Sequence, residues 1–150
     1  MYKRQHQYTV RRSSAGEQGS AYPALAAVLA TLASDQGVDS DAAFEAGRAW
    51  GRTSDPDVSA RTESAVERLS GGMRRVGFSL AVEVVADQTQ ITFADCPYRD
   101  LAELHPDLVC NLHRGLCEGL IETSAGGTLE DFVALHHDEP CHMAVKTTVS

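Results

Sequence analysis

At Gly77 the spacing of apolar residues changes from three-and-four to two, and that change limits the folds open to the chain. Upstream, Leu25, Val28, Leu29 and Leu32 recur at i, i+3, i+4 and i+7, which puts them on one stripe of a helix. Downstream, Phe78, Leu80, Val82 and Val84 alternate with smaller or polar residues, the pattern of a half-buried strand. A chain that carries both surfaces has to bury one against the other. This predicts an α+β fold: N-terminal helices, then a β-β-α-β-β unit whose antiparallel sheet packs on a long helix.

Finer signals place the elements. Residues 1–20 read as irregular, with a short strand over 7–11 and then a loop containing Ser13, Ser14, Gly16, Gly19 and Ser20. A helix is expected over 21–34, stopped by Gly37. A second starts at Asp39 or Ser40, both good caps, and runs to about Gly51. Phe44 and Trp50 lie in it and read as core. A loop around Asp55-Pro56-Asp57 leads to a third helix over 59–76, with Ala65, Val66, Leu69 and Met73 inward and Gly77 as its cap. Two strands meet at a turn around Asp87-Gln88, and Ile91 and Phe93 mark the second, which ends at Asp95-Cys96-Pro97. A helical turn over 98–104 precedes His105-Pro106, and proline suits the first position of the helix expected to reach Glu122. A glycine-rich loop over 124–128 and strands over 132–136 and 141–146 complete the chain. Two regions follow: 1–20 as a remnant and linker, and 21–147 as the main domain.

The charge is −8, from 13 basic and 21 acidic residues, which argues against a broad phosphate-gripping surface. Lys3, Arg4, Arg11 and Arg12 gather at the start, as at the edge of a DNA-binding unit or in a solvated tail. No apolar run approaches the roughly 18 residues of a membrane span, and the start lacks the pattern of a secretory signal. A cytoplasmic protein with no membrane partner is expected. Phosphate loops, zinc-protease helices and nucleophile elbows are not found in the sequence.

The chemistry-bearing residues are cysteines: Cys96, Cys110, Cys117 and Cys141. In a cytoplasmic chain they read as thiols, serving either as soft-metal ligands or as small buried apolar groups. Cys110 and Cys117 share a helix face but lie ~10 Å apart along the axis. Sulfurs on one zinc sit only ~4 Å apart, so Cys117 is set aside as a core-edge residue. His113, three residues after Cys110, reads either as a ligand joining it or as an exposed helix residue. Cys141 shares its strand face with Met143 and Val145, and His142 points to the other face unless the strand starts late or bulges. His136, His137 and His105 are weaker candidates. The expected metal set is Cys96, Cys110 and Cys141, with the fourth ligand open between His113 and His142.

The run CPYRDLAELHPDLVC over residues 96–110 resembles the C-terminal domain of predicted ArsR-like winged-helix transcriptional regulators. The iron–sulfur-dependent repressor of the suf operon belongs to that broad group. Leu112-His113-Arg114-Gly115-Leu116, Gly119-Leu120, Glu139-Pro140-Cys141 and the stretch Ala46-Gly47-Arg48-Ala49-Trp50-Gly51 extend the similarity over about residues 6–147. The resemblance implies cysteine ligands at Cys96, Cys110 and Cys141, for an iron–sulfur cluster or zinc. It departs at His142, where relatives carry a second cysteine, and at Cys117. It also implies DNA-reading helices ahead of this domain, with residues 7–11 as a wing strand, so that the chain alone binds DNA poorly. The implied function is a sensor domain that controls DNA binding through a homodimer, the helix bearing Leu25, Val28, Leu29 and Leu32 being its contact. Two alternatives stand beside it: a thiolate enzyme using His113 or His142 as base, and a metal-free domain that binds an apolar small molecule.

Overall fold

The structure, a computed structural model, describes residues 15–53, 63–133 and 140–147, with the backbone alone over 15–20. The expected wing strand over 7–11, residues 54–62, and His136 and His137 lie outside the described residues. The rest is α+β, with five helices and a four-stranded antiparallel sheet among the described residues.

Helix α1 (Ala15–Asp35) starts inside the segment that reads as a loop. Gly16, Gly19 and Ser20 are helical, and the helix continues through Pro23 into the alanine-rich stretch beyond. Its end follows the sequence. Gly37 N–H donates to Ser34 O and Val38 N–H to Ala33 O, each at 3.0 Å. This paired closure needs the positive φ of 78° that Gly37 supplies. Asp39 Oδ1 then accepts from Ala42 N–H at 2.8 Å and opens α2 (Ser40–Thr53).

Trp50 and Phe44 do not form the core of α2. Trp50 is 39% exposed and Phe44 half-buried, with the Arg114 guanidinium 5.3 Å above its ring. The buried residues are the small ones, Ala43, Gly47 and Gly51. They face Gly115 and Gly119 of α5 (Pro106–Glu122). A Cβ on Gly47 would sit 2.0 Å from Leu112 O, and one on Gly115 would sit 2.0 Å from Phe44 O. Two backbones therefore touch directly, and the order of contacts shows the helices running in the same direction. The glycines of the Ala46–Gly51 and Gly115–Leu120 stretches are packing residues. Arg48 seals the far end with a two-point contact to Glu122, at 2.8 and 2.6 Å.

Helix α3 (Ala65–Val76) begins at Ser64, whose hydroxyl accepts from Glu67 N–H, and closes at Gly77. Strands β1 (Ser79–Val85) and β2 (Gln88–Asp95) form a hairpin whose two-residue loop puts Ala86 at a φ of 58°. The short helix α4 (Arg99–Leu104) leads into α5. Strand β3 is Thr128–Val133, four residues earlier than expected, and β4 is His142–Lys146. A bulge interrupts its pairing with β4 between Glu130 and Val133, where Asp131 takes a φ of 51°.

The sheet order is β1-β2-β4-β3. Ile91, Phe93, Met143 and Val145 on its central strands meet Leu69, Met73, Leu116 and Leu120 on α3 and α5. The edge position of β1 corrects its expected half-burial. Leu80 packs on the core, but Val82 and Val84 extend past the helices and are exposed. Among the described residues no helix is long and apolar enough to cross a membrane.

Candidate ligand cleft and the cysteine positions

The strand that carries Ile91 and Phe93 into the core delivers Cys96 to its rim. There the chain turns through Pro97 and Tyr98 into α4, and Arg99 N–H donates to Cys96 O at 3.2 Å. The thiol is half-buried and accepts the Tyr98 backbone N–H. Burial pushes the thiol up from its ordinary value, against smaller lowering effects of that hydrogen bond and of Arg99.

Cys110 lies elsewhere. It sits half-buried on the second turn of α5, in a polar depression of about 270 Å³ shared with Arg114, Asp131 and Phe132. Cys141 is buried just ahead of β4, and its carbonyl accepts Phe93 N–H at 2.9 Å. Cys117 is fully buried in the same core, and its thiol is raised by burial first and then by Glu118 and Cys141. The structure thus places Cys141 with Cys117, the cysteine that axial spacing sets aside, in one core cluster, with Cys96 packed at its edge.

The histidines divide as well. His142 is exposed on β4, opposite Thr92 and Val133. His113 is not an exposed helix residue. It is 5% exposed and enclosed by aromatic rings: Phe78 stacked at 4.4 Å, Phe93 edge-on at 4.6 Å and Phe132 edge-on at 5.4 Å. Its Nε2 has no hydrogen-bond partner among the described residues. Burial alone lowers the imidazole to about 4, so it is neutral at physiological pH.

Among the described residues no group of three or more His, Cys, Asp or Glu is placed to hold a metal ion. Cys96, Cys110, Cys141, His113 and His142 therefore do not make up such a group. The raised thiols of Cys96 and Cys117 lack the lowering that activates a cysteine nucleophile.

Instead, the segment around Cys96 forms one wall of a cleft of about 590 Å³. Tyr22, Leu25, Ala26 and Leu29 of α1 form the other wall, and Tyr98, Leu101 and Leu104 complete it. Its lining is mainly apolar, with Arg99 and Asp100 as its charged members. Thr31 Oγ1 lies 3.5 Å from His105 Nε2 and ties α1 to the start of α5 just beyond the cleft. Cys96 was singled out by type and Leu25 and Leu29 by spacing. The role of Tyr22, Tyr98 and Leu104 had no sequence signal, because the cleft joins segments seventy residues apart. The chain matches no protein-family model, no curated protein and no solved structure.

Proposed function

We propose that this chain is the sensing domain of a helix-turn-helix transcriptional regulator, and that its signal is an apolar small molecule held between α1 and α4. The cleft carries this reading. Its volume of about 590 Å³ suits a molecule of metabolite or drug size, and mainly apolar walls with a few polar groups are usual for such sites. Cys96, Tyr98 and Arg99 at one wall give it polar handles.

The regulator half of the reading rests on the resemblance of residues 96–110. Within that resemblance the DNA-reading helices come before this domain. Helix α1 is the first described element, so an occupant of the cleft touches the helix nearest to them and holds it against α4. That is a direct route from occupancy to the geometry of a DNA-binding unit. Deleting the gene and comparing transcripts tests this half. A regulator shifts a small, defined set of transcripts, and re-introducing a version with the cleft filled by Ala26→Phe leaves that set unresponsive. An unchanged transcript profile contradicts the reading.

A further inference from the structure

We propose that the cleft between α1 and α4 takes an organic cation: an apolar, weakly hydrated molecule with a positive charge. This rests on the reading of the cleft as a ligand site and adds the sign of the charge that the site selects.

Apolar walls hold neutral and charged molecules alike, so the charged groups at the cleft decide its preference. Helix α1 contributes none, since residues 21–34 include no Asp, Glu, Lys or Arg. All of the charge comes from α4, where Arg99 and Asp100 line the cleft. Arg99 Nε lies 3.3 Å from Glu103 Oε1, so a carboxylate one turn away on the same helix already balances the guanidinium. Asp100 enters no ion pair among the described residues. Its carboxylate is the uncompensated charge at the cleft, and its pull on a cation is stronger beside apolar walls than in open water.

Two rings act in the same direction. Tyr22 on α1 and Tyr98 ahead of α4 both line the cleft. Tyr22 is exposed, and Tyr98 is only half-buried even though Phe78 packs against it edge-on at 6.1 Å. Each therefore keeps ring surface open. The face of a tyrosine ring is negative, attracts a cation within about 6 Å of its centroid and repels an anion. The chain as a whole carries −8, a field that raises the concentration of cations at its surface.

The class of cation follows from the walls. A compact metal ion needs several donors in place of its water, and among the described residues no group of three or more His, Cys, Asp or Glu supplies them. A quaternary ammonium, a phosphonium or a planar aromatic cation instead spreads its charge over an apolar frame. Such a frame covers Leu25, Leu29, Leu101 and Leu104 while the charge lies toward Asp100 and the tyrosines.

Tetraphenylphosphonium and tetraphenylborate test this, because they share one shape and carry opposite charges. Their affinities for the full chain are read by displacement of the neutral dye Nile red at low ionic strength. The phosphonium is expected to bind at least about tenfold more tightly than the borate. Asp100→Asn narrows that ratio to about threefold or less, and Tyr22→Leu narrows it too. Glu83→Gln removes the same charge from exposed β1, outside the cleft, and leaves the ratio unchanged. Far-UV circular dichroism checks that each variant folds. Equal affinities, a tighter borate, or a phosphonium that binds without displacing Nile red overturns the proposal, as does a ratio that Glu83→Gln narrows as much as Asp100→Asn. In those cases Nile red still occupies the cleft, and only the charge preference falls. A wild type that binds neither Nile red nor either ion overturns the cleft reading itself.

Discussion

The imidazole of His113 lies almost parallel to the ring of Phe78, with 4.4 Å between centroids and 18° between planes. The contact holds a titratable group inside the core in its neutral form. Its folded value of about 4 lies below the ordinary 6.5, so the unfolded chain takes up a proton first as pH falls. The stability tied to neutral His113 is therefore complete above pH 6.5 and is lost as pH falls from 6.5 towards 4, by about 3 kcal/mol in all. His113→Phe removes both the titration and the unpartnered Nε2. Urea midpoints measured across this window should fall steeply for the wild type and less so for His113→Phe. Equal slopes would contradict the account.

Contact between the α2 and α5 backbones sets a second expectation. Gly47→Ala and Gly115→Ala each place a methyl group 2.0 Å from a carbonyl oxygen on the facing helix. Neither helix can yield without opening the interface, so each change should destabilise by about 3 kcal/mol or more. Gly71→Ala is the contrast. Its Cβ would meet only the far end of Arg75 at 4.0 Å, within a helix, so it should stabilise by about 0.5–1 kcal/mol. Thermal unfolding of the three variants decides this, and a tolerated Gly47→Ala would show that the helices do not touch.

Glu122 joins the same two helices from outside. Hydrogen bonds from Arg48, then those from Arg52, hold its carboxyl at about 2, below the ordinary 4.5. A depressed carboxylate contributes stability above pH 4.5 that is lost as pH falls towards 2. Glu122→Gln should lower stability at neutral pH and flatten the acid limb below pH 4.5, outside the upper His113 window. An acid limb unchanged in this variant would remove the ion pair from the account.

The hairpin loop gives a simpler case. Ala86 holds a φ of 58°, where a Cβ is strained. Ala86→Gly should raise stability by a few tenths to about 1 kcal/mol after the entropy of the unfolded glycine is counted. A lower melting temperature would mean that the loop adopts another conformation.

Much of the fold was legible in the sequence, for local reasons. Gly37, Asp39 and Gly77 mark helix ends through their own backbone chemistry, and Ile91 and Phe93 alternate into the core as their period requires. The errors came from tertiary context. Trp50 reads as core by size, yet the α2 interface is built from glycines, whose packing role is invisible until a second backbone is brought near. Val82 and Val84 alternate correctly, but nothing local tells an edge strand from a central one. Among the site residues, the inward position of Cys141 followed from its strand face. The placement of Cys96 and Cys110 in different depressions did not, because residue type and spacing do not say which neighbours a helix end meets.

The most direct test of the ligand cleft is a fluorescence titration of Nile red against the wild type, Ala26→Phe and Leu104→Glu. The first variant fills the cleft from α1, and the second sets a charge at its apolar rim. One dye per chain is predicted for the wild type, with affinity at least about tenfold weaker in both variants and helix content unchanged. No saturable binding by the wild type, or equal affinity in all three, would contradict the sensing role assigned to this domain.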